Sequence, residues 1–178
     1  MGKRLFNLLT ALLMAILALP SLAVAQGQWV QTPPSLQGQY APGTVIIVYS
    51  ARKLFLVADQ QHSRLYRVAV PKAGRTWFGP AQIASKHVNP DWSPPAVVRA
   101  AHPELPDLIP GGSPDNPMGT RALMLDRDQI AIHGTTRRMR GSIGSAASFG
   151  CIRMLNEDVE ELFAQVDAGT PVMMLETL

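Results

Sequence analysis

The chain has 178 residues, a formal net charge of +3 and one cysteine, Cys151. A single cysteine excludes an intramolecular disulfide, and the length suits one domain with a hydrophobic core of its own. The one dense basic cluster is Arg137, Arg138 and Arg140. Nucleic-acid-binding proteins usually carry a longer basic stripe, so we expect no nucleic-acid partner and interpret the cluster first as a solvated loop.

The N-terminus has the three parts of a signal peptide. Lys3 and Arg4 supply positive charge, an apolar run follows over residues 5–19, and the Ala-Val-Ala of residues 23–25 has the small-x-small pattern of a signal-peptidase site. The apolar run is shorter than the roughly 20 residues that cross a bilayer. The sequence therefore predicts a cleaved signal peptide at residues 1–25, an exported protein, and no stable membrane span after cleavage.

The next part of the chain predicts a leader followed by strands. The Pro/Gln/Gly-rich residues 26–42 predict a flexible N-terminal leader. Runs rich in Val, Ile, Leu and Tyr, separated by short polar turns, then predict three strands. These runs are TVIIVYS at 44–50, KLFLVAD at 53–59 and RLYRVAV at 64–70. TWFGPAQI at 76–83 predicts a weaker strand, because Gly79-Pro80 interrupts it.

The second half of the chain predicts one connection, one hairpin, one clear helix and a last strand. Residues 84–118 are rich in proline and predict an irregular connection with one short helix at most. RALMLD and QIAIHG predict a hairpin around Arg127-Asp128. Val159, Leu162, Phe163 and Val166 recur with helical spacing. Asn156 is a candidate cap for that helix and Gly169 a candidate end, and PVMMLE predicts the final strand. We therefore expect a mainly-β catalytic or binding domain over residues 43–178.

His133 and Cys151 are the candidate catalytic residues in this pattern. His133 ends a predicted strand, and Cys151 follows after a Gly/Ser/Ala-rich loop, just before the helix. A buried, structural cysteine is one interpretation. The small and cationic neighbours Ser148, Gly150 and Arg153 favour the other, a thiolate activated by an imidazole. Amides near Gly150 and Cys151 are candidate donors to the oxyanion that forms when a thiolate attacks a carbonyl.

The whole string is more specific than this pair of residues. HGT, then SIG, then SFGCIRM resembles the signature of the L,D-transpeptidase catalytic domain, also called the YkuD domain. The resemblance continues through VIIVYSARKLFLVAD, NPDWSPP, NPMGTRALML and LNEDVEELF, and it covers roughly residues 44–176. It implies a mainly-β fold, a mixed β-sandwich or open barrel with one or two helices. It also implies a periplasmic or cell-wall location.

The resemblance implies a role for each matching residue. Cys151 is the expected nucleophile, His133 the general base and acid, and the Gly134 carbonyl the group that orients the imidazole. The expected substrate-binding or oxyanion residues are Thr135, Ser148, Gly150 and Arg153. The resemblance also supports a second interpretation of Arg137, Arg138 and Arg140, equal to that of a solvated loop: a patch that attracts an acidic stem peptide.

Three departures from the family pattern stand out. Phe149 is found where many members have His or Lys, and Thr136 where Asn is frequent. The Thr-Pro-x-Gly stretch of many members is replaced by Thr76-Trp77-Phe78-Gly79. None of these departures affects the thiol, the histidine or the arginine, but the last leaves one part of the cleft undefined.

The resemblance implies a peptidoglycan tetrapeptide stem as acyl donor. The acceptor is a second stem, a lysine of an outer-membrane lipoprotein, or water. Three hypotheses follow: an L,D-transpeptidase, an L,D-carboxypeptidase or amidase on the same fold, and a non-catalytic wall-binding module. His62, His87 and His102 show no metal-ligand spacing, and no Gly-rich phosphate loop follows a strand. We therefore expect no metal and no cofactor, and we expect Trp92 to pack under a loop.

Overall fold

A computed structural model describes residues 27–178, so the predicted signal peptide lies outside the described residues. The strands are β1 (Gln28–Gln31), β2 (Val45–Val48), β3 (Lys53–Val57), β4 (His62–Arg67), β5 (Val70–Pro71), β6 (Gly79–Val88), β7 (Arg121–Leu125), β8 (Ala131–His133), β9 (Ala146–Ser148), β10 (Ile152–Arg153) and β11 (Pro171–Leu175). The helices are α1 (Ala96–Ala101), a 3-10 helix (Arg137–Ser142) and α2 (Asn156–Gln165). Among residues 27–178, no helix is long and apolar enough to cross a lipid bilayer.

One large mixed sheet organises the domain. Its strand order is β1-β4-β3-β2-β11-β6-β7-β8-β10, and β5 and β9 form a separate parallel pair. The three strands predicted first along the chain, β2, β3 and β4, form an antiparallel meander, and β11 joins it in parallel beside β2. Every residue of β2 is buried because two hydrophobic clusters cover the two faces of this sheet. The mainly-β prediction is confirmed.

The predicted flexible leader is in part an ordered layer, which corrects the expectation for residues 28–40. Strand β1 pairs with β4 in antiparallel register. Leu36 is fully buried in the cluster that includes Ile46 and Phe55, and Tyr40 packs against the same cluster. The apolar residues among the prolines and glutamines therefore cover a sheet face that would otherwise be open to water. The predicted boundary between residues 42 and 43 stays a prediction.

The weak strand predicted at 76–83 is in fact the ten-residue β6, and it extends into the predicted irregular connection. It pairs with β11 on one side and with β7 on the other. The sequence hid this strand because Pro80 stands near its beginning and polar residues fill its second half. A register shift between Ile83 and Ser85 marks a bulge. The irregular connection therefore covers residues 89–118, which we call the flap, and it contains α1.

The predicted hairpin and helix are both found. Strands β7 and β8 are antiparallel, and α2 buries Val159 and Leu162 in the main core. Two details differ from the prediction. Leu155 occupies the N-cap position of α2 and makes no side-chain capping hydrogen bond, and Asn156 is the first residue of the helix. The helix ends at Gln165, and Gly169 lies in the turn that follows.

Candidate functional site

Two short parallel strands place the candidate residues on one face. Strand β10 pairs with β8 so that Arg153 is opposite His133 and Ile152 is opposite Ile132. Side chains alternate between the two faces of a strand. Ile132 and Ile152 therefore enter the main core, while His133 and Arg153 face the other way. Cys151, one residue before β10, shares their face.

This face forms the floor of a cleft of about 500 Å³. The flap forms one wall and the 3-10 helix forms part of the other. Floor residues that line the cleft are His133, Ser148, Phe149, Cys151 and Arg153. Flap residues that line it are mostly apolar and include Trp92, Val97, Val98, Leu105 and Ile109. Trp92, which belongs to the flap itself, is half-buried, packs near Met118 and lines the cleft.

His133 is buried and is uncharged at neutral pH. Burial, and after it the nearby Arg153 cation, lowers the pKa of its imidazole to about 3. The carbonyls of Gly134, Pro117 and Met118 face the ring and favour its protonated form. None of them reaches Nδ1 with hydrogen-bond geometry, so this buried nitrogen has no partner among the described residues. A neutral imidazole of this kind has a free lone pair and can accept a proton.

Cys151 is half-buried at the cleft floor. Its Sγ lies 3.5 Å from the Gln129 carbonyl oxygen, to which the thiol donates. Burial raises the pKa of the thiol, and the Ala131 amide and the Arg153 cation oppose that rise without cancelling it. Arg153 favours the thiolate, as the sequence indicates, but burial has the larger effect on the thiol pKa in the free protein. The flap and the hairpin exclude more water from the sulfur than the local sequence suggested.

Arg153 braces the loop between His133 and Cys151. One guanidinium nitrogen donates to Ser142 Oγ at 2.8 Å, at the end of the 3-10 helix. Its Nε is buried and has no hydrogen-bond partner in the part of the chain that the structure describes, and burial lowers the pKa of the group. The guanidinium also lines the cleft. Its charge is therefore held next to both the thiol and the imidazole.

Ser148 and Gly150 set the backbone that leads to the thiol. Ser148 Oγ donates to the Cys151 carbonyl and accepts from the Gly150 amide at 3.3 Å. Gly150 has φ of 145°, a conformation that favours glycine. The Gly150 amide is engaged inside the loop, so it is not the free oxyanion donor that the sequence suggested. The Cys151 amide remains as the candidate.

Thr135 lies outside the cleft. It is 1% exposed, and its amide donates to Asn156 Oδ1 at 2.8 Å. The neighbouring Thr136 lines the cleft instead and caps the 3-10 helix, where its Oγ1 accepts from the Met139 amide. Thr135 is thus placed to support the floor and does not reach a ligand there.

The arginine cluster divides into different environments. Arg140 forms a two-pronged ion pair with Glu157 at the start of α2. Arg138 lines the cleft at its rim, exposed, with a long contact of 3.3 Å to Asp115. Arg138 is therefore the member of the cluster that an anionic ligand in the cleft can reach.

Three supporting residues were not predicted from the sequence. Asn156 Oδ1 binds the loop after His133, as described above. Asn116 Nδ2 donates to the carbonyls of Pro90, Ile109 and Pro110 at 2.8 to 3.1 Å, which ties together the two ends of the flap. Trp77 Nε1 donates to the Gly150 carbonyl at 3.0 Å. Only Asn156 had a local signal, because it closely follows the cysteine motif.

Within residues 27–178, no three His, Cys, Asp or Glu side chains lie together as metal ligands would.

Comparisons with known proteins agree with this architecture. The chain is 32% identical over 144 residues to the probable L,D-transpeptidase YcfS of Escherichia coli K12, a match that covers 76% of this chain and 44% of YcfS. It is 34% identical over 137 residues to a putative L,D-transpeptidase of Fuscovulum blasticum, covering 75% of this chain and 69% of that protein. The chain thus spans less than half the length of YcfS.

Solved structures have the same fold. An L,D-transpeptidase from Mycobacterium smegmatis has a TM-score of 0.60 at 16% identity, covering 76% of this chain and 59% of that one. The catalytic domain of the Enterococcus faecium L,D-transpeptidase, acylated by ertapenem, has a TM-score of 0.57 at 16% identity, covering 78% and 100%. The family model described as the L,D-transpeptidase catalytic domain, YkuD, matches residues 42–174. The chain therefore belongs to the L,D-transpeptidase catalytic domain (YkuD) family.

Proposed function

We propose that the protein is a peptidoglycan L,D-transpeptidase in which Cys151 is the nucleophile and His133 the general base and acid. The observation that carries the proposal is the shared face of β8 and β10. It brings the thiol, the imidazole and the Arg153 guanidinium to the floor of one cleft in a member of this family. The predicted signal peptide supports action in the periplasm or cell wall.

The acylation step starts from uncharged partners. Burial raises the pKa of the Cys151 thiol and lowers that of the His133 imidazole, so neither group is ionised at neutral pH. We therefore propose that the thiol proton passes to His133 as the sulfur attacks the carbonyl carbon between the L-centre of the diamino acid and the terminal D-Ala. A preformed thiolate–imidazolium pair is not required.

Collapse of the tetrahedral intermediate forms the thioester. The carbon–nitrogen bond to D-Ala breaks, and the proton held by His133 goes to the departing amine. The stem, shortened by one residue, stays on the sulfur. The Cys151 amide is the proposed oxyanion donor, since the Gly150 amide is bound to Ser148. The Arg153 cation adds favourable charge near the intermediate.

The second step releases the acyl group. An amine from another stem, or from a lysine of an outer-membrane lipoprotein, attacks the thioester and loses its proton to His133. The sulfur leaves as a thiol. Water in place of the amine gives the carboxypeptidase reaction. Arg138, exposed at the cleft rim, is a proposed contact for the acidic stem.

The test is incubation of the purified protein with tetrapeptide muropeptides, followed by mass analysis of the products. Cross-linked dimers that lack one D-Ala support the transpeptidase. Tripeptide monomers alone would assign the carboxypeptidase reaction. Binding of muropeptides without any change in their mass would instead leave a non-catalytic wall-binding module.

A further inference from the structure

We propose that Trp77 is a positioning residue that orients the oxyanion donor by holding the Gly150–Cys151 peptide plane. The inference rests on the proposed function of Cys151 as nucleophile. Trp77 lies in the stretch that departs from the family pattern, 74 residues before the cysteine, and its indole N–H donates to the Gly150 carbonyl at 3.0 Å. No other side chain of the described residues donates to that carbonyl.

Peptide geometry links this hydrogen bond to the active site. The Gly150 carbonyl and the Cys151 amide belong to one planar trans unit, so they point in opposite directions. Trp77 packs against the main core and does not line the cleft. A carbonyl held toward Trp77 therefore turns the Cys151 N–H away from the core, to the side where the cleft lies. Without the indole bond, no side chain of the described residues binds this plane directly, and the adjoining Gly150 tolerates a change in its orientation.

Other contacts keep the indole in place. The Arg127 guanidinium lies over its ring, 4.8 Å from the centroid, and donates to the Pro80 carbonyl at 2.8 Å. Arg127 belongs to the turn of the β7–β8 hairpin, the same hairpin that carries His133. The indole thus contacts the hairpin of the proposed base and the loop of the proposed nucleophile together.

The test compares two reactions of the same sulfur. Acylation by a carbapenem passes through an oxyanion and needs the donor, whereas alkylation by iodoacetamide displaces iodide and forms no oxyanion. Trp77→Phe keeps an aromatic ring under Arg127 and removes the N–H. We expect carbapenem acylation to slow about tenfold, the effect of one lost hydrogen bond, with the alkylation rate unchanged. Trp29→Phe, at an exposed tryptophan, is the matched control and should change neither rate.

Each outcome either supports or contradicts the proposed role of Trp77 or the proposed function. Equal slowing of both reactions in Trp77→Phe would mean that the indole only supports the fold or the thiol, and unchanged acylation would mean that it does nothing; both overturn the proposal. Wild-type protein that acylates but fails to process muropeptides would count against the proposed function and leave the Trp77 inference standing. Thermal unfolding of both variants checks that the fold is retained.

Discussion

The floor and the flap of the cleft are held together in different ways. The floor consists of β8 and β10, which pair in register and whose opposite face enters the main core. The flap is mostly without regular structure, and α1 within it buries no residue fully. One bridge between Trp92 and Ile109 and the side chain of Asn116 join its ends. The proposed catalytic groups thus lie on the well-packed floor, and the more loosely packed flap is left to contact a ligand.

The largest expected effect is at the floor. Cys151→Ala should abolish both transfer to an amine and release to water, because each needs the thioester. The side chain is small and lines the cleft, so thermal unfolding should change little. The measurement is product formation from tetrapeptide muropeptides alongside a melting curve. Residual activity in a folded variant would exclude Cys151 as the nucleophile.

The burial of the floor residues also predicts how the alkylation rate of the Cys151 thiol depends on pH. Because burial raises the pKa of Cys151 and lowers the pKa of His133 to about 3, the free protein holds a thiol and a neutral imidazole. The rate of alkylation by iodoacetamide should keep rising as pH increases past the ordinary range of a free thiol. A plateau already reached at neutral pH would instead indicate a standing thiolate–imidazolium pair.

Within the flap, we expect the clearest effect on stability and substrate binding from a substitution of Asn116. Asn116→Asp keeps the shape and the acceptor that binds the Met118 amide, but it points an anion at the three carbonyls that the amide group now serves. Unsatisfied buried groups cost about 1–3 kcal/mol, so the melting temperature should fall by several degrees. We expect KM for the stem to rise more than kcat falls.

A defect in the chemical step at the floor would lower kcat and leave KM unchanged. If Asn116→Asp lowered kcat with KM unchanged, the flap would take part in the chemical step. The assignment of chemistry to the floor and of ligand contact to the flap would then be wrong. The alkylation rate of Cys151 in the same variant shows whether the change in the flap also alters the surroundings of the thiol.

The helix beneath the floor has its own pH dependence. Burial, followed by Glu157 and Glu161, raises the pKa of Asp158 to about 7. The folded state then holds this proton more tightly than the unfolded state, so stability is present at low pH and is lost as pH rises toward 7. Asp158→Asn should raise the melting temperature by about 5 °C at pH 8 and by nothing near pH 4.

The control for Asp158 is Asp107→Asn, because the Asp107 side chain is almost fully exposed. Exposed ion pairs contribute little, so this variant should melt like the wild type at both pH values. An equal gain for Asp158→Asn at pH 4 and pH 8 would contradict a raised pKa.

The smallest expected effect is at Phe149, where the floor contacts the flap. The Phe149 ring lies under Lys72, 4.7 Å from Nζ, and contacts the flap residue His102 edge-on at 6.4 Å. Phe149→Leu should raise KM about fivefold with kcat nearly unchanged, since such aromatic contacts contribute about 1 kcal/mol. Steady-state kinetics on the stem substrate separate the two constants, and an unchanged KM would show that this contact does not help to hold the flap.

What the sequence predicted depends on the range of the interactions involved. The strands β2, β3 and β4, the β7–β8 hairpin and the placement of His133 and Cys151 follow from local patterns and one dense motif. The order in β1, the length of β6 and the bond from Trp77 to Gly150 depend on partners far along the chain. The thiol pKa belongs to the same group: the cationic neighbours of Cys151 were visible in the sequence, but the burial that outweighs them was not.

The central claim is that the Cys151 sulfur carries the acyl group during the reaction. Rapid acid quenching of the protein with a tetrapeptide stem, followed by digestion and mass spectrometry, tests it directly. The account predicts that the peptide containing Cys151 gains the mass of the stem acyl group without its terminal D-Ala, and that Cys151→Ala gains nothing. Release of D-Ala with no adduct on that peptide, or an adduct that persists in the variant, would contradict it.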